Sequence, residues 1–331
     1  MKQTNLSIFI PHYGCPNRCS FCDQRYISGA KHPPTPKEVR ALLDKQQPVL
    51  KERGISAEIA FFGGSFTAID REYMTALLET AAYFTEKYPE EYCGIRCSTR
   101  PDCIDEEILG ILKKYGMTAI ELGAQSMNDE VLRLNDRGHT AEDVRKASRL
   151  IKEWGFSLGL QMMTGLYGDK REYCIETAEE FIALCADTVR VYPTVILKGT
   201  RLGELFSEGK YESFSFEETV DLCAELLKMF GNNGIPVIRL GLHASREVEE
   251  KMLGGVYHPA LREIVESRVF YGELLAEFRR LGGSDFIVYT DGRNISKLYG
   301  QKRENAVKLS AQGYRFKAVP ERGMHLRIEK I

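Results

Sequence analysis

Cys15, Cys19 and Cys22 stand close together in the stretch Gly14-Cys15-Pro16-Asn17-Arg18-Cys19-Ser20-Phe21-Cys22. Thiolates at this spacing on one loop can converge on a single iron–sulfur cluster. Three ligands for four irons leave one iron open, and an open metal position is a place for chemistry. The same cysteines could instead contribute to a zinc site with His12 as fourth ligand. A zinc knuckle asks nothing of the rest of the chain. An open iron asks for further groups that hold a reactant against it, so the downstream sequence discriminates between the two.

The elements that must position these residues alternate. Apolar β-branched runs predict strands over 5–10, 58–62, 94–99, 117–122, 157–163 and 187–193. Helix-period segments predict helices over 36–53, 71–88, 105–115, 140–154, 171–185 and 216–231. Thr35 before Pro36 reads as an N-cap with Pro at the first helical position, and Asp70 and Thr140 read as caps too. Six βα units in succession predict an α/β fold with a parallel sheet, a partial (β/α)6 barrel rather than a full eight. Chemistry in such barrels sits at the C-terminal ends of the strands. After about residue 235 the rhythm changes. Residues 244–282 predict a long charged helical stretch, broken by Gly254-Gly255 and Pro259. FIVYTDG, a helical NISKLYGQKRENAVKLSAQG, YRFKAVP and MHLRIEK then predict a small β-α-β-β module. The expected division is a barrel over 1–240 and a C-terminal α+β extension over 241–331.

Each predicted strand runs into residues that can bind a ligand. Strand 2 ends in Phe61-Phe62-Gly63-Gly64-Ser65-Phe66-Thr67, where paired glycines let the backbone approach a ligand closely. Strand 3 runs into Ser98-Thr99-Arg100-Pro101-Asp102. Strand 4 runs into Glu121-Leu122-Gly123-Ala124-Gln125-Ser126 and then Asn135-Asp136-Arg137-Gly138-His139-Thr140. Strand 5 gives Gln161-Met162-Met163-Thr164-Gly165-Leu166-Tyr167-Gly168, and strand 6 gives Tyr192-Pro193-Thr194-Val195-Ile196-Leu197-Lys198-Gly199-Thr200.

With C-x3-C-x2-C and an aromatic before its last Cys, this set resembles the radical S-adenosylmethionine (SAM) superfamily, in its elongator-catalytic-subunit-like branch. The resemblance covers roughly residues 5–240. It implies a [4Fe–4S] cluster on Cys15, Cys19 and Cys22, with SAM on the open iron and a 5′-deoxyadenosyl radical as the product of its reductive cleavage. Phe21 is implied to pack on the adenine. Gly63, Gly64 and Ser65 replace the usual Gly-Gly-Glu that orients the SAM amino group. Ser98, Gln125 and Arg137 fall at SAM-contacting positions, and a guanidinium suits a carboxylate. Gln161 stands where an Asp commonly reaches the ribose hydroxyls. Lys198 would lie at the barrel mouth, facing an anionic group of cofactor or substrate. An electron donor such as a flavodoxin or ferredoxin is implied as partner. Elongator catalytic subunits act on transfer RNA and carry an acetyltransferase domain; 331 residues leave no room for one, and few residues precede Cys15. The barrel chemistry therefore transfers and the substrate does not.

Composition is that of a soluble globular protein, with 43% hydrophobic and 28% charged residues. No apolar run approaches the roughly 20 residues of a membrane span, and the N-terminus is no signal peptide, so a cytoplasmic location without membrane partners is expected. Nine cysteines fit a reducing compartment. The other six, Cys93, Cys97, Cys103, Cys174, Cys185 and Cys223, are expected to be structural, the last three as small buried hydrophobes on helices. Net charge is −2, yet residues 293–331 carry ten Lys or Arg against three acids. Such a basic tail is either a phosphate-binding surface or a solvated face. RNA base modification is the expected function. A small-molecule, tetrapyrrole or protein substrate is the alternative, and a non-catalytic iron–sulfur or haem carrier the third reading.

Overall fold

The computed structural model describes residues 2–11, 13–15, 19–23, 32–243 and 245–331. Strands β1 Lys2–Ile10, β2 Ile55–Gly63, β3 Tyr92–Thr99, β4 Met117–Gln125, β5 Ser157–Thr164 and β6 Thr188–Pro193 lie side by side in chain order. A short β7, Val195–Leu197, leaves the sheet, and β8 Val237–Leu240 joins it beside β6. Every neighbouring pair is parallel, so each connection must cross over, and helices on the outer face make the crossovers. The result is an open, curled half-barrel. All six predicted strands are present. The sheet adds a seventh to the six predicted strands: four residues between Pro236 and Gly241 give too short an apolar run to register as a strand.

The helices begin where their caps predict. Thr35 and Glu38 form a reciprocal capping box ahead of Pro36–Arg53, Asp70 caps Arg71–Lys87, and Thr140 with Asp143 caps Ala141–Glu153. Each helix buries one stripe. On Ala141–Glu153 it is Ala141, Val144, Ala147, Ser148 and Ile151. Alternate strand residues such as Ala57, Ile59 and Phe61 meet these stripes, and each fully buried large side chain contributes about 1.5–3 kcal/mol. The opposite strand face is polar. Register sets Ser98 beside Glu121, and Gln161 beside Arg190 beside Arg239.

Residues 244–282 depart from the single broken helix. A one-and-a-half-turn helix, Arg246–Lys251, leads into β9 Met252–Gly255, which pairs antiparallel with β7. Gly255 has φ +82°, and a Cβ there would lie 2.3 Å from the Thr194 carbonyl oxygen. That requirement, not flexibility, explains the glycine pair. The helix Leu261–Leu281 then spans two cores. Leu261 and Val265 belong to the barrel core, while Phe270, Leu274 and Phe278 pack into a second one. The second core lies under β10 Asp285–Thr290, β11 Arg315–Pro320 and β12 Arg327–Lys330, in the order β11-β10-β12, with Phe278 stacked on Phe286 at 4.0 Å. This is the β-α-β-β module expected from sequence. Among the described residues no helix is long and apolar enough to cross a membrane.

Candidate active site

Loops at the C-terminal ends of β1 to β5 enclose a cleft of about 150 Å³. Cys15, Cys19, Phe21, Cys22, Gly63, Gly64, Ser98, Gln125, Arg137 and Gln161 all line it. Residues spread over about 150 positions of chain are thus gathered because each follows a neighbouring strand. Thr99, Arg100 and Gly123 complete the wall and were not singled out from sequence.

Cys19 and Ser20, in the second half of the cysteine loop, are held by their neighbours. Fully buried Asn135 holds Ser20 twice: its carbonyl oxygen accepts from the Ser20 N–H at 3.1 Å, and its Oδ1 accepts from Ser20 Oγ at 2.7 Å. Asn135 Nδ2 in turn donates to the Val131 and Tyr167 carbonyls. Leu202 N–H donates to the Ser20 carbonyl at 2.8 Å. Arg137, 6% exposed, donates from Nη1 to Cys19 Sγ at 3.1 Å and from Nη2 to the Gly123 carbonyl.

The glycine pair serves this loop as well as the cleft. Gly64 N–H donates to the Ile10 carbonyl at 2.8 Å and Ser65 N–H to the Tyr13 carbonyl at 3.0 Å. A Cβ on Gly64 would lie 1.9 Å from Tyr13 O, and one on Gly14 2.3 Å from Ser65 O. The steric demand read from sequence as room for a ligand is first a demand of the cysteine loop's own backbone.

Two expectations are corrected. Ser65 does not face the cleft: it is fully buried, its hydroxyl sits 2.8 Å from Thr99 Oγ1 and accepts from the Arg100 N–H, and so it ties the β2 loop to the β3 loop. Lys198 is exposed beyond β7, away from the cleft wall, because its backbone is drawn to the Lys251 carbonyl by the β7–β9 pairing. Cys185 is likewise exposed just past the end of its helix, whereas Cys97, Cys174 and Cys223 are buried. Cys103 stands behind the cleft wall, within reach of Ser65 and Arg100.

Several wall groups are held ready but unpaired. The Arg100 guanidinium forks onto Asp102 at 2.9 and 2.7 Å, which leaves its buried Nη1 without a partner. Gln125 has φ +68° where β4 slips register, and its buried Oε1 is also unpartnered. A bulge and a left-handed non-glycine residue at one point re-aim a side chain at a cost that a functional site tolerates. Gln161 Nε2 donates to Glu121 at 2.8 Å and Ser98 at 3.2 Å. Glu121, 1% exposed, also accepts from Arg96 at 3.0 Å and from Arg190 at 2.6 and 2.8 Å. It is the buried anchor of this wall, and its place in the Glu121–Ser126 motif was the signal for it.

The donor set fits an iron–sulfur cluster. All three thiols are free, and they share one cleft with unpaired polar atoms of Arg100, Gln125 and Arg137. Burial, then the neighbouring Cys19 thiol, pushes Cys15 and Cys22 up, so both must lose protons when they ligate metal. Among the described residues no three His, Cys, Asp or Glu side chains are gathered around one point as a single zinc ion needs. A cluster takes each thiolate on a separate iron and needs no such convergence. His12, the suggested fourth zinc ligand, lies outside the described residues, as do Pro16, Asn17 and Arg18 of the cysteine loop.

The radical SAM superfamily model matches residues 9–181, and the Radical_SAM C-terminal domain model residues 170–270. The chain belongs to the radical SAM superfamily. Its members are enzymes, and a [4Fe–4S] cluster and SAM are its cofactors. Among curated relatives, Elongator complex protein 3 of Homo sapiens is 28% identical over 90% of this chain and 59% of its own length. This chain thus spans less than two thirds of that relative. An uncharacterized protein of Methanocaldococcus jannaschii is 30% identical over 69% of this chain and 67% of its own. Archaeal Elp3 from Methanocaldococcus infernus shares the fold, with a TM-score of 0.62 at 21% identity, covering 84% of this chain and 64% of that one.

Proposed function

We propose that the protein uses a [4Fe–4S] cluster on Cys15, Cys19 and Cys22 to cleave SAM reductively, and that the radical serves to modify a base in RNA. The observation that carries the first half is the convergence of the three cysteines with seven further family-pattern residues on one cleft. When bound, the cluster and SAM supply an electron and a 5′-deoxyadenosyl radical able to attack unactivated C–H bonds. The chain's own groups bind and orient. Arg137 places positive charge beside Cys19 Sγ, where it would offset thiolate charge, and its unpartnered Nε would be available to the SAM carboxylate. Gln125 Oε1, buried and unpartnered, would accept from the SAM amino group. Gln161, with its amide nitrogen committed to Glu121 and Ser98, offers its oxygen to a ribose hydroxyl. Phe21, backed by Ile196, Leu202 and Tyr211, gives the adenine an apolar floor. A flavodoxin or ferredoxin supplies the electron.

The RNA half rests on the Elongator relatives and on the C-terminal module. Part of that module's charge is already paired: Arg293, Lys297, Lys308, Arg315 and Arg327 pair with Asp291, Glu266, Glu304, Asp285 and Glu321. Lys302, Arg303, Lys317, Arg322 and Lys330 form no ion pair among the described residues, and these are the cations that would hold phosphates. The test is anaerobic reconstitution with iron counting, SAM cleavage and product analysis on cellular RNA. The triple Cys15→Ala, Cys19→Ala, Cys22→Ala variant should lose the cluster and cleavage together. Native zinc, or four irons retained by the variant, refutes the cluster assignment. Absence of RNA binding at low salt moves the substrate to a small molecule or protein.

A further inference from the structure

The inner face of the half-barrel holds more guanidinium groups than carboxylates. Gln161, Arg190 and Arg239 are register partners on β5, β6 and β8, so their side chains share that face. Arg96 is answered by Glu58 at 2.8 Å and Glu121 at 3.0 Å, and Arg190 by Glu121 alone. Two carboxylates therefore serve two of the three arginines, and Arg239 is left over. Its Nε donates to the Gly241 carbonyl at 2.8 Å, and no ion pair reaches it among the described residues. The groups that bear on it are the Tyr192 phenol and the cations Arg190 and Arg262. His243, just beyond β8, is exposed, and its ring feels the charge of both Arg239 and Arg190.

A half-buried guanidinium beside other cations costs free energy until an anion joins it. Burial first, then Arg190 and Arg262, presses the Arg239 guanidinium below its ordinary range, and burial with Arg239 and Arg190 does the same to His243. Both nη nitrogens of Arg239 are uncommitted, which is the fork that a phosphate or carboxylate accepts. The place is on the same sheet face as Gln161. Gln161 lines the cleft, and β8 lies two strand spacings from β5, about 10 Å. A nucleotide anchored by its phosphate at β8 spans that distance with its base toward the cleft.

We propose that Arg239, flanked by Arg190 and His243, is the anion subsite of the substrate and takes the phosphate of the nucleotide whose base meets the cleft. This rests on the RNA reading above. Isothermal titration of the cluster-loaded, SAM-bound protein with the four common ribonucleosides and their 5′-monophosphates reads the subsite without turnover. At least one monophosphate should bind about tenfold or more tighter than its nucleoside. Arg239→Gln should abolish that difference, and Arg239→Lys should keep part of it, which separates lost charge from lost folding. Equal binding of every nucleoside and monophosphate by the unsubstituted protein overturns the proposal. So does a preference that survives Arg239→Gln, or displacement by citrate but not by inorganic phosphate. A protein that shows the Arg239-dependent preference yet cleaves no SAM overturns the radical reading alone.

Discussion

Replacing Gly64 by Ala tests whether the glycine pair is a cysteine-loop device. The added Cβ would sit 1.9 Å from Tyr13 O and 2.8 Å from Tyr13 N. Neither atom is the end of a flexible side chain, so the backbone two residues before Cys15 must move by more than 1 Å to reach ordinary contact. Two backbone hydrogen bonds hold that backbone, Gly64 N–H to Ile10 O and Ser65 N–H to Tyr13 O. Losing both costs about 2 kcal/mol. Overpacking against a wall that yields only partly adds about 1–3 kcal/mol. The expected loss is therefore about 3–5 kcal/mol, concentrated at the cysteine loop. Denaturant unfolding of the metal-free protein reads the stability, and iron content after anaerobic reconstitution reads the loop. Gly64→Ala should lower both. A variant that takes up a full cluster with native stability but loses SAM affinity refutes the reasoning and returns Gly64 to the ligand.

Glu121→Gln should cost about 3–5 kcal/mol in denaturant unfolding, because it leaves Arg190 buried without its carboxylate; a loss below 1 kcal/mol would show the network to be incidental. His139 is held down to about 3, by burial first and then by Arg137. Its ordinary value is near 6.5, so its contribution is fully present above pH 6.5 and is lost as pH falls toward 3, about 2 kcal/mol by pH 5. His139→Gln should remove that part of the acid loss between pH 7.5 and 5, and an unchanged slope would contradict the burial argument. RNA affinity should fall with salt at a log–log slope no steeper than about −4.2, since the module's five unpaired cations together with Arg239, at about 0.7 each, set the limit for a single strand. Charge reversal at Lys302 and Arg303 should flatten that slope by about 1.4; no change would clear the module of RNA contact.

The barrel was legible because its signals are local. Caps such as Thr35 and Thr140 and stripes such as Val144, Ala147 and Ile151 declare themselves within one helix. The cleft residues were legible for a related reason: each follows a strand end, and strand order equals chain order. What escaped depends on partners distant in sequence. Ser65 looked like a ligand because it follows Gly64, yet Thr99 and Arg100, more than 30 residues on, claim its hydroxyl. Lys198 looked like a mouth residue until β7 paired with β9, a strand more than 50 residues later. The basic tail looked like +7 until Asp285, Asp291 and Glu266, all outside it, took up three of its charges. The same limit hid the inner row. Glu121 is shared by Arg96 and Arg190 only because β3, β4, β5 and β6 are neighbours in this register. Arg239 becomes the unanswered cation only when a four-residue strand that sequence patterning misses is laid beside β6. The residue that bears most on substrate class therefore lies on the element least visible in the sequence.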